Sequence, residues 1–195
     1  MLAREEKAAK LDPRVKRTRE LLVRAFNQLL EEKGHSGLTV QEITERAAIN
    51  RATFYAHFRD QHELFDYVIS EAFRDELQRG LLPSPGLDEE NLKALVLVTC
   101  EYLSGLNTAC SWRDRQFRPL IEARVQQELY ELLLRWIEAS PEKASNRKVS
   151  REVTASVISW AIFGAALDWS GNGTARSSEE VADQVLSVIV EGLQV

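Results

Sequence analysis

The chain has 195 residues, 44% of them hydrophobic and 28% charged, with a net charge of −5. This is ordinary globular usage with enough length for a real core, which argues against a disordered or fibrous chain. Two cysteines are too few for a disulfide scaffold or a Cys-rich zinc site, and the longest apolar run, Trp160 to Leu167, is far below the ~20 residues a bilayer span needs.

The charged start MLAREEKAAK has no apolar stretch behind it, so no signal peptide is predicted; the expected location is the cytoplasm, without a membrane partner. From Thr18, apolar residues at Leu21, Leu22, Ala25, Phe26, Leu29 and Leu30 put one stripe on one helix face. Pro13 suits the start of that helix, and Gly34 with Gly37 ends it. Thr39 followed by Glu42 is a capping-box pattern opening a short helix to Arg46, and Asp60 with Glu63 is a second such pattern. The helix it opens carries Leu64, Phe65, Val68, Ile69, Ala72, Phe73 and Leu77. Pro83 and Pro85 then interrupt the chain, and this stretch is taken as the junction between a domain at 1–80 and another at 81–195.

Beyond the junction, Leu92 to Leu106 and Leu120 to Ala139 read as helices, with an irregular or briefly helical stretch between them. Pro141 lies in a polar loop, Val149 to Ser170 is a long helix, and Gly171 to Gly173 is a break. A Ser-Ser-Glu-Glu run ending at Glu180 opens a last helix predicted to end near Leu193. No alternating strand pattern occurs, so the predicted fold class is all-α.

The segment between the two capping patterns is the informative one. Thr39 to Arg46 meets Ala47 to Asn50, a tight connection in which Asn50 can cap a second short helix from Arg51 to about Phe58. Two short helices joined by about four residues and packed on a longer first helix make a helix-turn-helix plan. Ile43, Ala47, Ile49, Phe54 and Phe58 would form its small core, leaving Arg51, Ala52, Thr53, Tyr55 and His57 outward. That outward surface suits the major groove of DNA. Residues 1–59 hold 12 Lys/Arg against 8 Asp/Glu, so a basic front end precedes an acidic body. Such a division permits a local phosphate-binding face.

The run from Leu38 to Phe65, with Thr53-Phe-Tyr55 followed by His57-Phe58, resembles the DNA-binding domain of the TetR (tetracycline-repressor-like) family of bacterial regulators over about Arg14 to Ile69. The resemblance implies an N-terminal three-helix DNA-binding domain and a larger C-terminal helical domain that holds a small-molecule pocket and the dimer interface. It also implies a homodimer on a palindromic double-stranded operator, usually a repressor. Residue by residue, Asn50 to His57 match the recognition segment, Thr39 and Tyr55 match positions that touch phosphate, and Arg14, Lys16 and Arg17 match the basic arm. Two positions depart from the pattern. Ala48 stands where the turn usually has glycine, and His62 stands where a phosphate-binding lysine is common.

In the C-terminal half, Phe73, Tyr102, Trp112, Phe117, Tyr130 and Trp136 fall on helices that would surround a central cavity; they suit either a ligand pocket or ordinary core. Arg113, Arg115 and Arg118 could counter an anionic ligand, with a solvated loop as the alternative. Cys100 and Cys110 stand ten positions apart, about 280° around an ideal helix, which does not suit a redox pair. Ile158, Ala161, Ile162, Ala165 and Trp169, together with Val185, Ile189 and Leu193, make the last two helices apolar on more than one side. Such helices are expected to bury one face in their own core and the other against a second subunit, as a four-helix interface.

The expected mechanism is ligand-gated DNA binding. No catalytic residue, metal site or cofactor is predicted, because His35, His57 and His62 lack zinc-type partners in the sequence. An activator of the same fold, or a helical interaction module without DNA binding, is the alternative.

Overall fold

A computed structural model describes residues 12–33, 38–83, 86–109, 118–140, 149–171 and 176–192. Among these residues all regular structure is helical: α1 (Pro13–Lys33), α2 (Val40–Ala47), α3 (Arg51–Tyr55), α4 (Gln61–Gly80), α5 (Glu89–Ala109), α6 (Arg118–Ala139), α7 (Arg151–Gly171), α8 (Ser178–Leu186) and a closing π-helical turn, Ser187–Glu191. The chain divides into two compact units, one running through Val68 and the other built from Ile69 onward.

In the first unit, Asp12 accepts the backbone N–H of Arg14 at 2.9 Å, and α1 buries Leu22, Ala25, Phe26 and Leu29 along one stripe. Thr39 closes its capping box as predicted: its hydroxyl accepts from the Glu42 amide while the Glu42 carboxylate accepts from the Thr39 amide. At the other end of α2, Ala48 adopts φ 54°, ψ 41°, the left-handed conformation that favours glycine. Ala48 N–H reaches Glu45 O at 3.2 Å and Ile49 N–H reaches Thr44 O at 2.9 Å, so the helix ends in a Schellman motif despite the methyl group. Asp60 starts α4 by accepting the amides of His62 and Glu63, each at 2.9 Å. The second capping pattern, however, closes differently from expectation. The Glu63 carboxylate reaches past Asp60 to the Arg59 amide at 2.6 Å and holds the Arg59 side chain as well.

Phe26, Ile43, Phe54, Phe58, Leu64 and Phe65 are buried together in this unit. The rings of Phe26 and Phe65 lie 6.1 Å apart and those of Phe54 and Phe58 lie 5.9 Å apart, both tilted. Burying each such side chain contributes about 1.5–3 kcal/mol, which is what a short-helix unit has to offset its chain entropy.

In the second unit, α5 and α6 pack on α7, and α8 packs on both α5 and α7. Ala155, Ile158, Ser159, Ile162, Phe163 and Ala166 form the buried side of α7. A Cβ on Gly80, the last residue of α4, would stand 2.2 Å from Val98 Cγ2, so any larger residue there requires the Val98 side chain to shift. Glu128 of α6 is 2% exposed yet charged, and it is met from two sides. Arg74 of α4 grips it bidentately at 2.8 and 2.9 Å, and Arg124 donates to it at 2.9 Å. Paired in this way the carboxylate ties α4 to α6, and without Arg74 only Arg124 of its own helix would be left to meet it. Burial pushes the Cys100 thiol up to about 11, so it stays protonated and inert. Cys110 lies outside the described residues.

Two expectations about the last helices change. The final helix was predicted to run unbroken to near Leu193, but α-helical bonding stops at Leu186 and the next turn is π-helical. In addition, α7 is long and apolar enough to cross a membrane by length and composition, although its longest unbroken apolar run is short. Its hydropathy is spread around the helix, with one side in the core and Val153, Val157 and Trp160 exposed on another.

The turn gives a direct test. Replacing Ala48 by glycine removes a left-handed Cβ penalty but adds unfolded-chain entropy, so Ala48→Gly should stabilise the protein by about 0.5–1 kcal/mol. The gain is read as a higher urea midpoint with an unchanged slope.

Candidate nucleic-acid interface

A helix of five residues cannot persist alone in water, so the position of α3 must be dictated by what it buries. Phe54 is fully buried and serves as its anchor. Asn50 caps it, accepting the Ala52 amide at 2.6 Å. With Phe54 turned inward, Arg51, Ala52 and Tyr55 are exposed and Thr53 and His57 are half-buried, as the sequence pattern predicted. Tyr55 keeps 56% of its surface exposed and stands edge-on against Phe54, ring centroids 5.5 Å apart. Its hydroxyl is thereby presented on a rigid ring.

The polar groups on this face are organised beyond what spacing alone predicts. Arg51 donates to Gln41 at 2.5 Å, and Gln41 donates in turn to Glu45 at 2.8 Å, so a chain of side chains runs across α2 and α3. Gln41 was not among the predicted site residues; a polar side chain in the first turn of α2 carries no signal until α3 is placed beside it. Thr39 is exposed, but its hydroxyl already accepts the Glu42 amide at 3.2 Å and donates to the Glu42 carboxylate at 3.0 Å. The same carboxylate receives Lys33 at 2.6 Å, and that ammonium, with Thr39, holds Glu42 below the ordinary carboxylate range. Lys33 therefore brings a cation to the start of α2, a second residue that spacing did not reveal. On the far side of α1, Glu32 is held bidentately by Arg46 at 2.8 and 2.7 Å.

Arg14, Lys16 and Arg17 are exposed at the start of α1; Lys16 only approaches Glu20 at 4.0 Å, and neither arginine makes an ion pair among the described residues. His62 is exposed in the first turn of α4. His57 follows α3, and burial, aided by the nearby Arg19 charge, holds its imidazole below the usual histidine value. This face therefore combines free guanidinium groups, hydroxyls and a neutral imidazole on a short rigid scaffold, the set that reads base edges and phosphates.

Of the predicted pocket residues in the second unit, Phe73, Tyr102, Tyr130 and Trp136 are described. Phe73 is fully buried with its ring 5.0 Å from Tyr102, Trp136 is buried, and Tyr130 is half-buried. Trp112, Phe117, Arg113 and Arg115 lie outside the described residues; Arg118 is exposed and pairs with Glu122 at 2.5 Å. A cleft of about 500 Å³ runs instead past Arg74, Leu77, Leu81, Leu82, Leu132 and Arg135. Of the predicted interface residues, Ile158 and Ile162 are buried within the unit, while Ala161, Ala165, Trp169, Val185 and Ile189 are half-buried; Leu193 lies outside the described residues. The exposed apolar surface falls on Val153, Val157 and Trp160 of α7 and on Val188 and Val190 of the π-helical turn. Periodicity could not choose between the faces of α7, since both are apolar.

Residues 22–68 match the model of a family described as bacterial regulatory proteins, tetR family. The HTH-type transcriptional repressor DhaR of Mycobacterium sp. (strain GP1) is 26% identical over 189 residues, covering 90% of this chain and 91% of DhaR. An uncharacterized HTH-type transcriptional regulator of Bacillus subtilis (strain 168), YxbF, is 43% identical over 97 residues, 48% of this chain. That match spans only 26% of YxbF. Among solved structures, the transcriptional regulator FadR from Bacillus subtilis, in complex with stearoyl-CoA, superposes with a TM-score of 0.54 at 15% identity. The superposition covers 90% of this chain and 99% of FadR, and at that identity the likeness is one of fold.

The His57 environment sets a pH dependence. The unfolded histidine takes a proton near pH 6.5 and the folded one only at lower pH, so stability is full above about 6.5 and falls as pH drops through that window. Titration of the His57 ring protons by NMR should give a midpoint below 6.5, and His57→Gln should remove this part of the acid sensitivity.

Proposed function

We propose, from the fact that the chain belongs to the TetR family of bacterial regulatory proteins, that it is a sequence-specific DNA-binding transcriptional regulator that acts as a dimeric repressor and leaves a palindromic operator when a small molecule binds. The observation that carries this reading is α3: a five-residue helix anchored by buried Phe54 and presenting Arg51, Ala52, Thr53 and Tyr55 outward. We assign DNA binding to the unit that runs through Val68 and ligand binding and dimerisation to the unit built from Ile69 onward, in a protein of the bacterial cytoplasm, where the operator is.

Dimerisation places two recognition helices on one operator, one DNA turn or more apart. The surface assigned to it is the row Val153, Val157 and Trp160 with Val188 and Val190, an apolar patch that a lone subunit would leave wet. The ligand site assigned is the cleft between Arg74 and Arg135. Its leucines suit an apolar chain and its guanidinium groups an anionic head, the chemistry of the stearoyl-CoA carried by FadR. Arg74 also holds buried Glu128, so an anion there competes for the clamp between α4 and α6. Because α4 begins in the first unit and ends in the second, a ligand that prefers another setting of α4 also changes the DNA-binding state. A coupling of about 1–3 kcal/mol shifts operator affinity roughly 5–150-fold.

Selecting bound fragments from random duplex DNA and reading their half-site spacing tests the reading as a whole; an absence of enriched, two-fold related sites would refute it. On the selected duplex, Arg17→Ala should weaken binding to all sequences and flatten the salt dependence by about one phosphate contact per protomer. Thr53→Ala should instead change the preferred bases, seen by repeating the selection. Val157→Asp places an unpaired charge in the proposed interface; sedimentation should show monomer where the unmodified protein is dimeric, with operator affinity reduced at least about tenfold.

A further inference from the structure

We propose that Arg19, a residue of α1 outside the basic arm, is a DNA-phosphate ligand held ready by the rings of Phe58 and Tyr67 beside His57. The inference rests on the DNA-binding reading above and adds to it a residue that neither periodicity nor family pattern marked.

Its geometry is unlike that of the other arginines in the first unit. The Arg19 guanidinium carbon lies 5.7 Å from the Phe58 ring centroid and 5.3 Å from that of Tyr67, and the two rings lie 5.5 Å from each other. Two aromatic contacts favour the charge of the group, but they accept none of its in-plane N–H donors. Arg46 is satisfied by Glu32, Arg59 by Glu63, and Arg51 by Gln41. Arg19 meets no carboxylate or carbonyl among the described residues, and its Nε is buried without a hydrogen-bond partner. A buried donor left unmet costs about 1–3 kcal/mol, more when charged, so this half-buried side chain gains by turning its donors toward an acceptor at the surface of the unit.

The surroundings indicate which acceptor. Arg19 is near enough to His57, which closes the recognition segment, for its charge to oppose protonation of the imidazole. The nearby acids are otherwise engaged: Asp60 holds the amides of His62 and Glu63, and Glu63 holds Arg59. A fork of fixed donors and an imidazole, uncompensated by an acid at the end of the recognition segment, suits a diester phosphate, whose oxygens accept several bonds at once. Arg19 lies two residues beyond Arg17, about 200° around α1, and three beyond Lys16, so it faces away from Arg17 and neighbours Lys16. Its rings set it apart from the solvated arm residues, and its phosphate contact adds to theirs.

The test measures affinity of the full-length protein for the selected duplex and for an unrelated duplex between about 50 and 200 mM salt, where each phosphate contact contributes a slope of about −0.9. Arg19→Met keeps a stem against the rings and removes the donors; the slope should become shallower by about 0.9 per protomer, with affinity for both duplexes falling about tenfold. Arg19→Lys should restore most of the slope. The wild-type protein supplies a second readout: the Arg19 Nε–H NMR signal should shift when duplex is added. An unchanged slope in a folded Arg19→Met protein, including one whose affinity falls through lost packing alone, would overturn the inference. Should Arg19→Met fail to fold, an Nε–H signal indifferent to DNA would do the same. If the wild-type protein shows no salt-dependent DNA binding, the DNA-binding reading itself falls, an outcome separable from failure at Arg19 alone.

Discussion

Everything the first unit offers to a partner depends on the burial of Phe54. The helix that carries it is too short to hold its own hydrogen bonds in water, so its position comes from the ring rather than from the backbone. Phe58 continues the same anchor after the helix ends, and Phe26 and Phe65 complete the wall it packs on. With the apolar side so fully committed, the other side is free to carry arginine, threonine and tyrosine without loss of fold. The left-handed Ala48 is part of the same economy: a strained turn persists because the cores on either side of it require the chain to reverse there.

The second unit works under an opposite constraint. Its central helix is apolar around much of its circumference, so packing against α5 and α6 uses only one side. Specificity within this unit comes from its few buried polar groups. Glu128, gripped by Arg74 and Arg124, admits one register of α4 against α6, and Ser159 donates to Ser156 O at 2.9 Å while accepting from Gln126. Such buried pairs add little net stability but penalise wrong registers, which is useful where the surrounding leucines would tolerate several. On the proposed mechanism, this is also the place where a bound anion makes itself felt.

What was legible in the sequence was mostly local. The Thr39–Glu42 box and the Asn50 cap close as predicted, because each needs only backbone amides within three residues. The Asp60–Glu63 pattern was legible in part: Asp60 caps, but Arg59 competes for Glu63 and draws it away. Likewise, five residues of alternating character sufficed to assign the outward side of α3, since only one side of so short a helix can be buried. The alignment of Arg51 with Gln41, and of Lys33 with Glu42, was not legible, because each joins residues nine or more positions apart on separate helices.

The sequence by itself determined the all-helical class, the helix-turn-helix and its inward and outward sides, since these follow from periodicity, caps and turn residues acting over one or two turns of chain. Only the tertiary structure decided which side of α7 stays exposed, where α-helical bonding gives way to a π turn, and that Phe73 packs against Tyr102 while a cleft opens between Arg74 and Arg135. The physical reason is degeneracy: when a helix is apolar on several sides, its pattern fixes no rotation, and the choice passes to the shapes and charges of the helices packed against it.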